Sequence, residues 1–364
     1  MKSELRHVCC NIDDNYAQHC GVMLCSLFEN NKQEQFEIHI LISSLKDENK
    51  ENLNQIVSRY DSVCHFHIVN SELLKDVKYR AERPLSEATY YRILLASTLD
   101  ESISKILYLD SDMIVLGDIS PIFEIDLQNY ALAAARDLQK LTDELRFILS
   151  LPQNAPYFNA GMMLINLDYW REHKSEQLLI DFSKNAKNIY NHDQDALNAV
   201  FNGHWFMLTP RWNRFFPYNY ESSFFENDID RKAYKKDPVI IHYVNYFKAW
   251  NRFIWIGVKW HKYRNCYYQY LKLTPWANFK SSRVTLEQYR KFSLYKFLAI
   301  FSIQSLCIDI KDLFLKGTPK FVEHVLTVPF LIVLKILYKT RDLKNAIYRI
   351  INRVFHQQRL IHKH

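Results

Sequence analysis

Apolar positions in the first half of the chain switch between two periods. His7–Asn11 and Phe36–Ile42 are short apolar runs, and Val63-Cys-His-Phe-His-Ile-Val69 alternates apolar and polar residues with period two. These segments predict β-strands. Between the first two, Met23, Leu24, Leu27 and Phe28 recur at the spacing of one helix face. Residues 46–60 are polar enough for a surface helix. Lys105–Leu109 returns to a short apolar run between polar neighbours and predicts a buried strand, and Ala133–Asp137 reads as a small-residue strand. Strands separated by helical segments predict parallel βαβ units and an α/β fold.

From about residue 205 the pattern changes. Aromatics crowd 205–270, as in Trp205-Phe206, Trp212–Tyr220 and Trp250–Trp255. Such residues pack cores and loops, and mixed with Asn and Arg they also suit sugar faces. Further on, Leu343, Ala346, Ile347, Ile350, Ile351, Val354 and Phe355 form one helical stripe, with Lys344, Arg349 and Arg353 opposite. That is the pattern of an interfacial membrane helix. A helix packed on the body is the plainer reading. The apolar run Phe330–Leu334 upstream is bounded by Pro329 and Lys335, far short of the ~20 residues a bilayer span needs. Two regions follow, a body at 1–275 and a helical, basic, membrane-associating region at 276–364.

Charge sharpens this division. Of the net +7, residues 331–364 carry all of it, so residues 1–330 sum to zero. The body is therefore not a nucleic-acid binder by charge. Apolar residues make up 48% of the 364, enough for a sizeable core. The seven cysteines are odd in number, form no Cys-x-x-Cys pair and sit largely in apolar runs, and the N-terminus has no apolar signal core. Both point to a reducing cytoplasm. Glycine is scarce at 6 residues, and no Gly-x-Gly-x-x-Gly or Gly-Lys-Ser/Thr occurs. A bound phosphate would have to be held by a cation and side chains.

The candidate chemistry begins at Asp110 and Asp112, one residue apart at the end of the Lys105–Leu109 run. Ligands of open α/β sheets gather beyond the carboxyl ends of strands. Two hard oxygen ligands there suit Mg²⁺ or Mn²⁺, and such an ion suits a diphosphate. A solvated loop is the ordinary alternative. His242 follows the apolar Ile240-Ile241, and its imidazole could complete the metal site or be structural. Asp13 and Asn15, after the first strand, could bond a base or ribose, or cap a helix. Thr89-Tyr-Tyr-Arg92 opens an apolar helix, and Arg92 could grip a phosphate or sugar or make a salt bridge. Asp137 ends a strand. Phe158–Asn166 has small residues where a backbone could approach a ligand. His192-Asp193-Gln194-Asp195 starts a helix with more acids than a cap requires.

The order and spacing of six blocks resemble glycosyltransferase family 8, the retaining enzymes that include bacterial lipopolysaccharide galactosyl- and glucosyltransferases. The blocks are Asp-Asp-Asn-Tyr (13–16), Thr-Tyr-Tyr-Arg (89–92), Tyr-Leu-Asp-Ser-Asp (108–112), Tyr-Phe-Asn-Ala-Gly (157–161), Asp-Gln-Asp (193–195) and His-Tyr…Lys-x-Trp (242–250). The resemblance covers about residues 5–265. It implies the nucleotide-diphospho-sugar transferase (GT-A type) fold, a mixed, mostly parallel sheet flanked by helices, with a helical basic C-terminal appendage. It implies Asp110, Asp112 and His242 as ligands of Mn²⁺ (Mg²⁺ the alternative) and Lys248 against the donor diphosphate. Asp13 and Asn15 would contact uridine, and Arg92, Asp137, Asn159, Ala160, Asp193 and Gln194 would surround the donor sugar. Gln194 would face the anomeric carbon, with Asp193 the alternative, covalent, catalytic residue. The donor would be UDP-galactose or UDP-glucose. The acceptor would be a membrane-linked glycan of lipopolysaccharide or lipooligosaccharide type, with the enzyme peripheral on the cytoplasmic face of an anionic membrane. Two departures stand out. Asn245 and Ala249 replace the Gly and Pro of the family's last block, and Pro84 stands where some relatives have His. A non-catalytic nucleotide-sugar scaffold, or a transferase acting on a protein or storage glycan, are the competing readings.

Overall fold

Apolar runs spaced by amphipathic segments build a seven-stranded sheet in the computed structural model, which describes residues 5–77, 87–137, 141–186, 190–215, 238–244, 248–250 and 263–279. They belong to one unit, Met1–Val284. The C-terminal amphipathic stripe, the 330–334 run, Pro84, Asn245 and the aromatics at 216–220 and 253–255 lie outside the described residues.

The strands are β1 (Leu5–Asn11), β2 (Gln35–Ile42), β3 (Val63–Ile68), β4 (Lys105–Leu109), β5 (Met113–Val115), β6 (Leu132–Arg136), β7 (Phe158–Asn166), β8 (Trp205–Leu208), β9 (Arg214–Phe215) and β10 (Ile240–His242). The main sheet runs β3-β2-β1-β4-β7-β6-β8, and β5-β10-β9 form a small second sheet. In the main sheet only β7 is antiparallel to its neighbours, β4 and β6. Every other pair is parallel. The strands expected at 7–11, 36–42, 63–69, 105–109 and 133–137 are all present to within two residues at each end. Helix α1 (Ala17–Asn30) links β1 to β2, and α2 (Asp47–Ser58) links β2 to β3, the expected crossovers of parallel strands.

Side-chain alternation divides the core in two. Even-numbered positions of β1–β3, such as Val8, Cys10, Ile38 and Ile40, pack with α1 and α2. Odd-numbered positions near the carboxyl ends, Cys9 and Leu41, pack with Tyr90–Leu95 on the other face. All six described cysteines are free thiols, four of them buried, as expected for reduced core residues.

The segment around Thr89–Arg92 differs from the expected α-helix. Glu87–Leu94 is a 3₁₀-helix, followed by one α-turn at Leu95–Thr98. Three residues per turn bring Thr89 and Arg92 to the same side, and the Arg92 Nε donates back to the Thr89 carbonyl at 3.2 Å. His242 is also placed differently, as the last residue of β10 rather than beyond it.

Candidate active site

β4 ends at Leu109, and the next residue leaves the sheet at its carboxyl edge. The Asp110 amide donates to the Gly161 carbonyl of β7 at 2.7 Å, which fixes the turn against the neighbouring strand. Asp112 is held from the other side. His242 pairs with Met113 across β5–β10, and the Tyr243 amide donates to the Asp112 carbonyl at 2.9 Å. The small sheet thereby sets His242 opposite both carboxylates. His242 Nε2 lies 3.1 Å from Asp112 Oδ1 and 3.6 Å from Asp110 Oδ2. One donor atom from each of the three residues falls within 4.8 Å of the others.

These residues fit a divalent cation. Two carboxylates and an imidazole are the donor set for Mn²⁺ or Mg²⁺ beside a diphosphate. Asp112 Oδ1 is buried and makes no hydrogen bond, although the His242 nitrogen is close. Gly161 leaves the space open. A Cβ there would come within 2.8 Å of Asp110 Oδ2 and 2.3 Å of the His242 ring.

Two cations, the part-buried Lys248 and the buried Arg92, flank the cluster. Lys248 Nζ contacts Asp112 Oδ2. Burial opposes ionisation of Asp112, but Lys248 and His242 outweigh it and hold its carboxyl well below the usual range. Burial also opposes the Lys248 charge, and Asp112 raises that ammonium above its ordinary value. Arg92 spans the other side. Its guanidinium lies 3.0 Å from Asp110 Oδ1 and 2.9 Å from Asp193 Oδ2, and donates to the Ala160 carbonyl at 2.6 Å. It also covers the Tyr108 ring at 4.5 Å. Tyr108 in turn donates to Asp110 Oδ1 at 3.0 Å and to Asn11.

A second, amide-rich group adjoins this one. A register shift in the β6–β7 ladder between Ala134 and Arg136 carries the chain to Asp137, whose amide donates to the Tyr157 carbonyl at 2.8 Å. Such shifts re-aim side chains at strand ends. Asp137 Oδ2 accepts from Asn159 at 3.0 Å and from Gln194 Nε2 at 3.1 Å. Gln194 Oε1 accepts from the Ala160 amide at 3.0 Å. Both ends of the Gln194 amide are therefore held.

The two acids around Gln194 serve different ends. Asp193 faces Arg92. Burial, and Asp110 beyond Arg92, push its carboxyl up to about 7 against the pull of Arg92. Asp195 turns back into its own loop, accepting from the Tyr157 hydroxyl at 2.5 Å and from the Tyr190 and Asn191 amides at 2.7 and 2.8 Å. That grip steadies His192, whose φ of +53° is a conformation L-residues rarely adopt.

The structure thus joins Asp110, Asp112, His242, Lys248, Arg92, Asp193, Gln194, Asp137, Asn159 and Ala160 through direct contacts. Asp13 and Asn15 stand apart from these contacts. Asp13 Oδ1 accepts from the Asn15 and Tyr16 amides at 2.9 and 3.2 Å, and Asn15 is exposed. Asp13 therefore closes a local turn ahead of α1, whose N-cap is Tyr16 and has no side-chain cap bond.

Sequence reading missed Asn213. It is buried, donates to Asn159 Oδ1 at 2.9 Å, and its Oδ1 lies 3.1 Å from His242 Nδ1. It therefore orients the imidazole and ties the cation cluster to the amide group. The signal was present in Trp212-Asn213-Arg214, an amide among aromatics, but nothing in it marked Asn213 over its neighbours. Tyr108 and Asn11 were missed as well, hidden inside strand patterns.

Residues 7–253 match the family described as Glycosyl transferase family 8, and the chain belongs to it. General stress protein A of Bacillus subtilis (strain 168) is 30% identical over 283 residues, covering 76% of this chain and 96% of that protein. A lipopolysaccharide 1,2-glucosyltransferase of Escherichia coli is 28% identical over 282 residues, covering 76% of this chain and 80% of that enzyme. Among solved structures, the galactosyltransferase LgtC with donor and acceptor sugar analogues superposes with a TM-score of 0.65 at 23% identity, covering 78% of this chain and 99% of that one. The fold is the mixed, mostly parallel GT-A type, and the chain is a glycosyltransferase by family.

Proposed function

We propose that this glycosyltransferase moves a hexose, glucose or galactose, from a UDP-sugar to a membrane-linked glycan of lipopolysaccharide type, with a divalent cation, Mn²⁺ or Mg²⁺. The observation that carries this reading is the Asp110–Asp112–His242 cluster, set between Lys248 and the Asp137–Asn159–Gln194 group at the carboxyl edge of the sheet. The lipopolysaccharide 1,2-glucosyltransferase and the galactosyltransferase among the named proteins support the hexose, and the first supports the acceptor class.

Cleavage of the anomeric C–O bond builds positive charge on the sugar and negative charge on the departing diphosphate. A bound cation supplies Lewis-acid stabilisation of that diphosphate. Lys248, part-buried beside the same carboxylate, adds a fixed positive charge on that side. Arg92 holds Asp110 in place and neutralises Asp193. Asp137, Asn159 and Gln194 offer oriented polar groups for sugar hydroxyls. A donor sugar bound over this group would meet Gln194 at its reacting carbon, and a neutral amide is a poor nucleophile. Asp193 is the weaker candidate for covalent attack, because it is engaged by Arg92 and its side chain is only 4% exposed. These features favour same-face attack by the acceptor hydroxyl, assisted by the leaving phosphate. Asp13 and Asn15, beyond β1, are the side chains offered to the nucleoside.

No helix among the described residues is long and apolar enough to cross a membrane. The basic stripe at 343–355 supports peripheral binding to the cytoplasmic face of an anionic membrane. The test is UDP release from a panel of UDP-sugars with Mn²⁺, with and without EDTA. Slow, EDTA-sensitive hydrolysis of one donor is expected and names the sugar. A folded chain that neither binds nor cleaves any UDP-sugar overturns the donor assignment. Removal of 340–364 should abolish binding to anionic vesicles, and undiminished binding overturns the anchor.

A further inference from the structure

Odd-numbered side chains of β1–β3 share one face of the sheet. Near the carboxyl ends that face is packed, through Cys9 and Leu41. Toward the amino ends and the β3 edge it carries His7, Glu37, His39, His65 and His67, brought together by the pairings His7↔Glu37, His39↔His65 and Leu41↔His67. None of these residues takes part in the site beyond the carboxyl end of β4. Val8 pairs with Leu107, so His7 is level with Ile106, four residues short of Asp110. At strand rise this is about 13 Å along the sheet.

We propose that His7, Glu37 and His39 form a second metal site, for a borderline transition cation of the Zn²⁺ class. His7 Nδ1 lies 3.0 Å from His39 Nε2 and 3.5 Å from Glu37 Oε2, and one donor atom of each residue falls within 4.8 Å of the others. Four-coordinate zinc, with bonds of about 2.0–2.1 Å, sets its ligand atoms about 3.3 Å apart. The two separations from His7 Nδ1, 3.0 and 3.5 Å, bracket that spacing. A ring-to-ring hydrogen bond accounts for the first contact. It does not account for Glu37 Oε2, which converges on the same nitrogen at the outer limit of hydrogen bonding.

The outer contacts carry the inference further. Ligating imidazoles and carboxylates are held by partners on their remaining polar atoms. Here the other oxygen of Glu37 meets His65 Nε2 at 2.5 Å, and the other nitrogen of His39 meets His67 Nε2 at 3.0 Å. Two of the three inner groups, Glu37 and His39, are thus oriented by outer ones on the adjacent strand. The side chains of His7 and Glu37 are 21% and 24% exposed, which leaves solvent access for an ion and its fourth ligand. Two imidazoles and one carboxylate select Zn²⁺, Cu²⁺ or Ni²⁺ over Mg²⁺ or Ca²⁺. The Asp110–Asp112–His242 set has the opposite bias. A cation here would tie β1 to β2, with β3, the edge strand, held to them through His65 and His67.

The experiment is Zn²⁺ titration of the untagged full-length chain carrying Asp110→Asn and Asp112→Asn, which removes the other cluster, followed by Co²⁺ substitution and its visible spectrum. One Zn²⁺ should bind, and Co²⁺ should show the intense absorption of a four-coordinate site. Adding His7→Gln with His39→Gln should weaken binding by at least about tenfold and abolish that spectrum. Glu37→Gln, which keeps shape, should weaken binding too and serves where the double histidine change impairs folding, as judged by circular dichroism. Failure of the folded Asp-substituted chain to bind Zn²⁺ overturns the proposal. So does binding that Glu37→Gln and the folded histidine variant leave unchanged.

Discussion

Two carboxylate–histidine clusters lie on different strands, one beyond the carboxyl end of β4 and one on β1 and β2, and their surroundings differ. Asp110, Asp112 and His242 are flanked by the cations Arg92 and Lys248. His7, Glu37 and His39 are backed by His65 and His67. In the first, fixed positive charge balances the carboxylates and favours a further anion beside any bound cation. In the second, burial lowers the His7 and His39 imidazoles, His39 to about 3. Neutral imidazole is the ligating form. On the proposed readings, similar donor atoms serve a diphosphate-facing cation at one place and a cation without a neighbouring anion at the other. The assembly differs as well. The second cluster comes from alternate positions on adjacent strands, whereas the first draws on β4, β10, the 3₁₀-helix and the helix Asp193–Val200.

Substitutions can break this contrast. Arg92→Met should have the largest effect, because it strands Asp110 and Asp193 without their shared cation. The expected loss is about 3–5 kcal/mol in urea unfolding. A loss under about 1 kcal/mol would mean that the carboxylates do not depend on Arg92. Asp110→Asn should leave unfolding nearly unchanged but cut cation-dependent transfer by roughly 10²–10³-fold. Undiminished turnover would remove Asp110 from the metal set. Asn213→Ala should raise the Mn²⁺ concentration needed for half-maximal turnover by about 10–100-fold, with little change in the saturated rate. An unchanged Mn²⁺ dependence would reduce Asn213 to packing.

The last test is read as a slope against pH and concerns a histidine outside both clusters. His19 stacks on Trp250 at 3.5 Å and contacts the Tyr267 hydroxyl at 2.6 Å. Burial, then Lys248, lower its imidazole from 6.5 to about 3. The unfolded chain therefore binds the extra proton throughout that window. Stability from this group is complete above pH 6.5 and is lost as pH falls toward 3, by up to about 1.4 kcal/mol per unit. His19→Gln should flatten the slope of unfolding free energy against pH across that range. An unaltered slope would place the acid sensitivity elsewhere.

Much of this was legible in the chain, for reasons that differ by residue. Asp110 and Asp112 were readable because an apolar run ends there, and a strand cannot bury two carboxylates in its core. Gly161 was readable as a small residue within a strand pattern. The division between Asp193 and Asp195 was not. Both are acids in one helical turn, and only the packed loop sends one to Arg92 and the other to the Tyr190 and Asn191 amides. The 3₁₀ winding of Glu87–Leu94 was hidden for a similar reason, since apolar spacing over eight residues does not separate it from an α-helix.

The order of strands and helices, the six ordered blocks and the confinement of net charge to the last 34 residues follow from the amino-acid sequence alone. Local periodicity and composition act over a few residues and survive without tertiary contacts. The partnership of Asp112 with His242, 130 positions later, was decided only when β10 paired with β5. The gathering of His7, Glu37 and His39 was decided by the β1–β2 register, since a slip of one residue sends alternate side chains to the other face. Convergence of distant groups depends on strand register and packing, which no local pattern encodes.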